Sequence, residues 1–428
     1  MMKFYLFSLG CKVNGYENNA LREQFLEEGF QEEKDPSEAD IIVINTCSVT
    51  HVADQKSRQH IRKFRRECPK AILAVMGCYS EANEKEVADM GADIIVGTSN
   101  RNKIIPSFLK IIHGDLASPF IDIKKNIRQE RYEEMGQIAF SNQARAYLKI
   151  QDGCDNFCSY CLIPSLRGNS RSRNKDNIIS ETQNFVRQGY KEIVLTGIHI
   201  GKYGYDFIDQ NYFLSNLIND ILVASPSLYR LRLGSLESKE ITDDFFSIFA
   251  KYPAIANHIH IPLQSGSSSV LQRMHRPYDT DAFLKTITDL RNIREDVAIT
   301  TDIIVGFPNE SEEEWHETME FVKKARFSQI HVFPFSARKG TLAASMEGQI
   351  DPQIKQKRVQ ELLSLGGTLK SNYENHFLKH EVEVLFEEYK DGFAYGHTSN
   401  YLHVKIPCSR SLHGEILKIV LEKENLVN

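Results

Sequence analysis

The sequence has few cysteines and no long apolar run. Eight cysteines in 428 residues is far below the roughly 8–10% that is typical of a disulfide-stabilised extracellular scaffold. No stretch reaches the ~20 apolar residues that a membrane-spanning helix needs. The apolar run at 4–7 is shorter than the ~7–15 residues of an export signal and predicts a first strand instead. We therefore expect a cytoplasmic protein with no membrane partner, whose thiols are reduced and available for catalysis or metal binding.

The sequence also lacks an excess of positive charge. Its formal net charge is −5 and its pI about 6.3, which argues against a strong non-specific nucleic-acid binder. Nucleic acid would have to meet a local patch, and an ordinary solvated basic surface is the alternative reading of each patch. The two candidate patches are the segment 55–70, with Lys56, Arg58, Arg62, Lys63, Arg65, Arg66 and Lys70, and a shorter group of Arg167, Arg171, Arg173 and Lys175.

The first 115 residues alternate between strand and helix patterns. We predict strands at 3–8, 41–44, 72–76 and 94–96, and helices at 17–29, 52–66, 81–90 and 101–113. Such alternation is typical of a doubly wound parallel sheet. Cys11, Cys47 and Cys78 each follow a predicted strand within a few residues, and ligands bind beyond the carboxyl ends of such strands. The three thiols are thus expected to converge, the alternative being three unrelated core cysteines. Cys68 and Cys408 do not fit this pattern.

The segment 116–139 is polar and predicted to be a linker, after which the alternation resumes over 140–370. Strands are predicted at 145–150, 192–196, 229–233, 258–262, 297–305 and 329–335, with helices at 177–188, 212–223, 241–250, 280–294 and 312–325. This order predicts a partial or closed α/β barrel that works at the carboxyl ends of its strands. The remaining residues, 371–428, alternate as four short strands, at 382–387, 392–395, 402–406 and 416–421.

Three cysteines lie close together after the first strand of this barrel. Cys154, Cys158 and Cys161 form a C-x3-C-x2-C run. Zinc and four-iron clusters normally take four ligands, so three thiolates leave one metal position open for chemistry. A zinc knuckle that borrows a fourth ligand from elsewhere is the alternative.

This spacing, with an aromatic residue at Tyr160, resembles the signature of radical S-adenosylmethionine enzymes. Further segments resemble the methylthiotransferases within that group: Leu195-Thr196-Gly197, His260-Ile261-Pro262-Leu263-Gln264-Ser265-Gly266, Asp302-Ile303-Ile304-Val305-Gly306-Phe307-Pro308 and Phe335-Ser336-Ala337-Arg338-Lys339-Gly340-Thr341. The resemblance implies an α/β protein with an N-terminal methylthiotransferase domain (1–115), a linker (116–139), a radical S-adenosylmethionine partial barrel (140–370) and a small antiparallel RNA-binding barrel called TRAM (371–428).

The resemblance also implies two [4Fe–4S] clusters and S-adenosylmethionine as cofactors. The catalytic cluster would be held by Cys154, Cys158 and Cys161, and a second cluster, which carries the sulfur to be inserted, by Cys11, Cys47 and Cys78. S-adenosylmethionine contacts are expected from Tyr160, Thr196, Gly197, Glu237 and Gln264. Reductive cleavage would give methionine and a 5′-deoxyadenosyl radical that removes hydrogen from the target carbon. An equally good interpretation of Glu237 is a carboxylate that stabilises a helix N-terminus. His258 and His260 share one strand face, where they either line the cavity or pack, and Trp315 is predicted to pack.

Within this family the segment Gly10-Cys11-Lys12-Val13-Asn14-Gly15-Tyr16-Glu17 most resembles the branch that acts on N6-threonylcarbamoyladenosine at position 37 of tRNA. The alternatives are N6-isopentenyladenosine at the same position, an aspartate of a ribosomal protein, and, remotely, a non-enzymatic metal-binding RNA-binding protein. The expected partners are the tRNA anticodon loop and an electron donor such as flavodoxin or ferredoxin. Residues 371–428 hold nine acidic and six basic residues, a charge of −3. The tail therefore contacts RNA through a few side chains, leaves RNA to the basic patches, or only packs.

Overall fold

The computed structural model describes residues 1–124, 127–138, 143–208 and 211–427. They form two compact units. The first unit comprises residues 1–141, 149–155 and 161–173, and the second comprises 142–148, 156–160 and 174–428. Within the described residues, no helix combines the length and apolar character needed to cross a membrane.

The first unit is built on a six-stranded parallel sheet. Its elements are β1 (Lys3–Ser8), α1 (Lys12–Glu27), β2 (Gln31–Glu32), β3 (Ile41–Thr46), α2 (His51–Glu67), β4 (Ile72–Gly77), α3 (Cys78–Ala82), α4 (Glu84–Asp89), β5 (Ile94–Val96), α5 (Ile104–His113) and β6 (Phe120–Asp122). The strand order is β2-β1-β3-β4-β5-β6, and every neighbouring pair is parallel. The predicted doubly wound sheet is confirmed, with the strand order reversing between β1 and β3.

The central strands form because their residues are apolar on both faces, as expected where helices cover both sides of a sheet. All six residues of β3 are buried. On one face Ile42 and Ile44 pack with Ile61 and Phe64 of α2. On the other, the rings of Phe4 and Phe25 stack with centroids 4.6 Å apart. The core of this unit therefore lies on both sides of β1, β3 and β4.

Three features of this unit differ from the prediction. The first helix, predicted at 17–29, begins earlier, at Lys12. The helix predicted at 81–90 is two helices, α3 and α4, because the chain leaves helical geometry at Asn83. The segment 116–139 contains β6, which extends the sheet beside β5, and it was predicted as linker because a three-residue strand leaves little periodicity. The predicted end of this linker, at residue 139, lies outside the described residues.

The rest of the chain resumes the alternation. Its elements to residue 375 are β7 (Arg145–Lys149), β8 (Gln151–Asp152), α6 (Ile163–Arg167), β9 (Arg171–Ser172), α7 (Lys175–Arg187), β10 (Glu192–Thr196), α8 (Leu214–Ala224), β11 (Arg230–Leu233), α9 (Asp243–Lys251), β12 (His258–His260), α10 (Ser268–Arg273), α11 (Thr280–Ile293), β13 (Ala298–Val305), α12 (Glu312–Ala325), β14 (Gln329–Pro334), α13 (Leu342–Ser345) and α14 (Pro352–Asn375). The antiparallel pair β8–β9 and α6 belong to the first unit.

The second unit holds the barrel strands as two three-stranded sheets, ordered β11-β10-β7 and β12-β13-β14. The pairs β10–β11, β12–β13 and β13–β14 are parallel. A parallel bridge between Leu231 and Ile255 joins β11 to the segment before β12. Trp315 packs as predicted, at 5% exposure, and its indole N–H donates to Glu361 at 2.9 Å. The predicted α/β partial barrel is confirmed.

The C-terminal segment is a four-stranded antiparallel sheet. Its strands are β15 (Glu381–Lys390), β16 (Phe393–Thr398), β17 (His403–Pro407) and β18 (Ile416–Val420), in the order β17-β16-β15-β18. All four were predicted, whereas the long helix α14 was not, and the predicted boundary between residues 370 and 371 falls inside that helix.

Ion pairs inside the second unit attach this sheet to the barrel strands. Glu192 is buried at 1% exposure and pairs with Arg232 at 2.6 Å and Arg230 at 3.0 Å. Arg232 also donates to the carbonyl oxygens of Thr398 and Ser399, both at 3.1 Å. Arg145 pairs with Glu387 of β15 at 2.7 Å. Part of the negative charge of the tail is therefore used in packing rather than presented to solvent.

Candidate functional site

The three N-terminal cysteines lie at one edge of the first-unit sheet. Cys11 follows β1 and immediately precedes α1, Cys47 follows β3, and Cys78 is the first residue of α3 after β4. Since β1 and β3 flank the point where the strand order reverses, Cys11 and Cys47 occupy the position at which doubly wound sheets bind ligands. Cys11 is exposed, whereas Cys47 and Cys78 are 6% and 4% exposed.

Side chains around this edge hold the three cysteines near each other. The Asn14 amide donates to the carbonyl oxygens of Leu9 at 2.7 Å and Thr46 at 3.1 Å, which joins the loops after β1 and β3. The Cys11 thiol donates to the amide oxygen of Asn14 at 3.6 Å. Gly10 has φ +99°, and a Cβ there would lie 2.7 Å from Cβ of Cys47. Only glycine allows this close approach.

Arg167 links Cys78 to the same group. Its guanidinium lies 3.4 Å from the Cys78 sulfur and donates to the Asn14 amide oxygen at 3.0 Å. It also pairs with Glu17 and Asp152, each at 3.0 Å. Arg167 comes from α6, directly after the triple-cysteine loop in sequence. Sequence reasoning did not assign it to the cysteine site.

Arg167, Arg171 and Arg173 were predicted to form a basic surface patch, and this prediction is wrong. Their exposures are 0%, 5% and 1%. Arg171 pairs with Asp152 at 3.4 Å, and Arg173 pairs with Glu134 at 2.9 Å. These carboxylates, together with Glu17, draw the three guanidinium groups inside, where a buried charge requires a partner.

Glu17 of α1 is the centre of a buried network of charges. It is fully buried and pairs with Arg101 and Lys149, both at 2.8 Å, in addition to Arg167. Burial by itself raises the pKa of Glu17, but the three cations outweigh it and hold the pKa well below its ordinary value. Glu17 therefore remains ionised and fixes Arg167 beside Cys78.

Burial acts in the opposite direction on the cysteines. It raises the pKa of Cys78 to about 11 despite the nearby Arg167, and it raises the pKa of Cys47 as well. Both thiols are therefore protonated at neutral pH when they hold no metal. Since metals and clusters bind thiolate, loading this site must release protons.

The triple-cysteine loop lies between β8 and α6 and contributes residues to both units. In the first unit, the Cys154 backbone N–H donates to the Gly168 carbonyl at 3.0 Å, and the Cys161 sulfur accepts from the Ile163 N–H at 3.4 Å. Gly153 has φ +73°, and a Cβ there would lie 2.0 Å from the Asn169 carbonyl oxygen. The start of the loop thus depends on glycine.

Cys158 belongs to the second unit, where a guanidinium contacts its sulfur. Arg276 lies 3.2 Å from the Cys158 sulfur and 3.0 Å from the Tyr278 hydroxyl, and it also pairs with Glu237. Cys158 is 9% exposed. Sequence reasoning missed Arg276, because no local signal distinguishes it from an ordinary surface arginine.

The residues predicted to contact S-adenosylmethionine lie at the carboxyl ends of the barrel strands or in the triple-cysteine loop. Thr196 ends β10 and Gly197 follows it. Glu237 precedes a short 3-10 helix, as its alternative reading required, but its carboxylate pairs with Arg276. The Gln264 backbone pairs with β13: its N–H donates to the Asp302 carbonyl at 2.8 Å, and its carbonyl accepts from the Ile304 N–H at 2.9 Å. The Tyr160 ring meets Phe307 edge-on at 6.5 Å. Their roles as cofactor contacts remain predictions.

Both cysteine-bearing parts of the chain are similar to known proteins. Residues 3–97 match the model of an uncharacterised protein family, UPF0004, and residues 148–322 match the radical SAM superfamily. A threonylcarbamoyladenosine tRNA methylthiotransferase MtaB of Bacillus subtilis is 39% identical over 97% of this chain and 93% of its own length. A tRNA-2-methylthio-N(6)-dimethylallyladenosine synthase of Aquifex aeolicus is 32% identical over 99% of this chain and 96% of its own.

The chain belongs to the radical S-adenosylmethionine tRNA methylthiotransferase family. Methylthiotransferases of this family use S-adenosylmethionine and [4Fe–4S] clusters. Among solved structures, the radical S-adenosylmethionine methyltransferase TsrM of Kitasatospora setae shares the fold, with a TM-score of 0.60 at 14% identity over 80% of this chain and 77% of that one.

The donor set of this methylthiotransferase fits such clusters. Each of the two cysteine groups offers three thiols, and thiolates are the usual ligands of iron–sulfur clusters. In the first group, the missing side chain of Gly10 leaves the space that Cys47 fills. In the second, Arg276 sets a positive charge beside Cys158, which complements a thiolate ligand.

Proposed function

We propose that this enzyme methylthiolates carbon 2 of N6-threonylcarbamoyladenosine at position 37 of tRNA. The observation that carries the proposal is the 39% identity, over nearly the full length of both chains, to the Bacillus subtilis protein named for this substrate. The segment from Gly10 to Glu17 supports the same branch, and it supplies Cys11, Asn14 and Glu17 to the first-unit site. A tRNA substrate would place the enzyme in the cytoplasm.

Two clusters are assigned in this proposal. Cys154, Cys158 and Cys161 would hold the cluster that binds S-adenosylmethionine, and a second cluster would be held by Cys11, Cys47 and Cys78. When bound, these cofactors supply the electron that cleaves S-adenosylmethionine and the sulfur that is inserted.

The chain's own residues would hold and orient these groups. Arg276 fixes the Cys158 sulfur at 3.2 Å, and its pairing with Glu237 sets a carboxylate beside the same loop. Tyr160, Thr196, Gly197, Glu237 and Gln264 would bind S-adenosylmethionine. In the first unit, Asn14 and Arg167 would keep the cysteine loops in place for cluster binding.

In this proposal, the basic face of α2 contacts the tRNA. The predicted patch there stays on the surface, with Lys56, Arg62, Lys63 and Arg66 exposed, whereas the three arginines of the second predicted patch are buried. A row of cations on one helix face suits a phosphate backbone. The electron would come from a flavodoxin or ferredoxin.

The test of the substrate is mass spectrometry of tRNA nucleosides from a strain that lacks the gene, with and without complementation. We expect 2-methylthio-N6-threonylcarbamoyladenosine to disappear, its unthiolated precursor to accumulate, and complementation to restore the product. An unchanged level of the methylthiolated nucleoside would contradict the proposed substrate.

Variants of single cysteines test the two clusters. Cys158→Ala should abolish cleavage of S-adenosylmethionine. Cys47→Ala should leave cleavage intact and stop methylthiolation, because it removes a ligand of the second cluster alone. Cys408→Ala is the matched control, since Cys408 follows β17 and packs against the core of the C-terminal sheet, and this variant should leave both reactions unchanged. Methylthiolation by the Cys47→Ala enzyme would refute the role of the first-unit cysteines.

The second candidate is the same reaction on N6-isopentenyladenosine at position 37. Relatives at 30–32% identity carry the name tRNA-2-methylthio-N(6)-dimethylallyladenosine synthase, which favours it over the aspartate of a ribosomal protein. The same nucleoside data separate the two tRNA substrates, because each gives a product of different mass.

A further inference from the structure

A polar set lies on one face of the sheet β12-β13-β14 in the second unit. His260, Asp302 and His331 each place one side-chain nitrogen or oxygen within 4.8 Å of those of the other two. Asp302 is paired with His331 across β13 and β14, and His260 is paired with Thr300 across β12 and β13. Because side chains alternate along a strand, Thr300, Asp302 and Ile304 share one face. We call His260, Asp302 and His331 the His–Asp–His set.

Thr300 orients His260, which in turn contacts Asp302. The Thr300 hydroxyl lies 2.8 Å from Nδ1 of His260, and Nε2 of the same ring lies 3.2 Å from the Asp302 carboxylate. The His260 and Asp302 side chains keep 15% and 28% of their exposure, and His331 is exposed. The set is therefore ordered and accessible at the same time, unlike a group that packs a core.

The surroundings of the set leave room for a ligand. Phe333 follows His331 on the same face of β14 and is 45% exposed, which offers an apolar surface next to the polar groups. On the other side, Thr300 and Gln329 line a cavity of about 270 Å³. Among the described residues, the walls of this cavity do not include His260, Asp302 or His331, so the access of a ligand to the set follows from the exposure of the set and of Phe333.

The set also lies close to the triple-cysteine loop. Ile304 and Tyr160 pack on the same hydrophobic cluster, formed around Phe307 and Phe335. Asp302 precedes Ile304 by two residues on the same face, which corresponds to roughly 7 Å along the strand. A group bound at Asp302 would therefore lie roughly 7 Å along the strand from Ile304, which packs on the same cluster as Tyr160 of the triple-cysteine loop.

We propose that the His–Asp–His set binds the threonylcarbamoyl group of the target adenosine and makes the enzyme selective for it; this inference rests on the proposed function. The group carries a carboxylate, a hydroxyl and ureido N–H donors. The exposed imidazole of His331 suits the carboxylate, and the Asp302 carboxylate suits the hydroxyl or the ureido N–H, while Thr300 and His260 hold Asp302 in place. An isopentenyl group makes no hydrogen bonds and would displace water from His331 and Asp302 without replacing the hydrogen bonds of that water, which is how polar sites reject apolar analogues.

The test compares three forms of one tRNA, with threonylcarbamoyladenosine, isopentenyladenosine or unmodified adenosine at position 37. The Kd of each is measured on the reconstituted holoenzyme without S-adenosylmethionine, and kcat/KM for methylthiolation is measured separately. We expect the wild type to prefer the threonylcarbamoyl form. His331→Ala should lose at least tenfold of that preference in Kd and should leave the Kd of unmodified tRNA unchanged. His316→Ala, an exposed histidine of α12, is the control.

Several outcomes would overturn the inference. One is a His331→Ala enzyme that keeps the preference, and another is equal weakening of all three tRNAs, which would mark a general RNA contact. A third is one equivalent of added Zn²⁺ bound by wild type and lost in His331→Ala, which would mark an ion site. Failure of the proposed function is read from wild type alone, as absence of reaction with the threonylcarbamoyl form. Asp302→Asn, which keeps the side-chain shape, should repeat the loss of preference.

Discussion

Replacing Glu17 by Gln should destabilise the first unit strongly. Glu17 is fully buried and holds the cations of Arg101, Lys149 and Arg167 at 2.8, 2.8 and 3.0 Å. The amide keeps the shape and removes the charge, so three buried cations lose a shared anion. Breaking a buried ion pair from one side costs about 3–5 kcal/mol of the free energy of unfolding. For a unit of this size, the loss corresponds to a fall in Tm of roughly 6–20 °C.

The assay is denaturant unfolding of the cluster-free protein at pH 7, followed by thiol labelling of Cys78. That thiol is 4% exposed in the folded state, so its labelling reports the opening of the first unit. Glu27→Gln is the matched control, because Glu27 ends the same helix and is exposed. Such a surface change should stay within about 0.5 kcal/mol of wild type. If Glu17→Gln were as stable as Glu27→Gln, the buried network would contribute nothing and the reasoning would be wrong.

The same experiment has a pH signature. The pKa of Glu17 is lowered in the folded state, so its contribution to stability is complete above the unfolded value of about 4.3 and is lost as the pH falls below it. The stability gap between wild type and Glu17→Gln should therefore narrow below pH ~4.3. A gap that stays constant down to pH 3 would show that the cost arises from something other than the charge.

Three further predictions concern other parts of the chain. Gly10→Ala should lower the iron content of the site at Cys47, measured by iron analysis in a protein whose Cys154, Cys158 and Cys161 are replaced. Gly29→Ala is the control and should not lower it, because Gly29 also has a positive φ, +80°, but has open space around it. Glu192→Gln should cost the second unit about 3–5 kcal/mol in denaturant unfolding, because it leaves two buried arginines without their carboxylate. Burial, and then a neighbouring histidine, lower the pKa of His403, so stability should fall modestly as the pH drops through about 6.5, and His403→Asn should flatten this slope; an identical slope in the variant would contradict the assignment.

Much of the fold could be predicted from the sequence because local patterns carry it. The parallel sheet of the first unit follows from apolar runs such as 41–44, whose length and β-branched residues are typical of buried strands. The convergence of Cys11, Cys47 and Cys78 follows from topology, since each comes after a strand of the same sheet. Neither result needs knowledge of contacts between distant residues.

What could not be predicted depends on pairing between distant segments. Arg167 and Arg173 look like surface residues in sequence, and they are buried because Glu17 and Glu134 lie far away along the chain and close in space. Arg276 contacts Cys158 across 118 positions. The partner of a charged side chain is known only once the chain is folded. The burial and pairing of the arginines were therefore the main features of the site that could not be predicted from the sequence.

The buried ion pairs change the surface charge that a polyanion encounters. In the part of the chain that the structure describes, ten buried arginine or lysine side chains stand against six buried glutamate or aspartate side chains. The solvent-facing groups are therefore more acidic than the formal charge of −5 implies. A nucleic acid therefore meets a surface that is acidic on average, and local groups of exposed cations, such as those of α2, are where electrostatic attraction is favourable. Orientation during the encounter would then be set by what the fold hides as much as by what it displays.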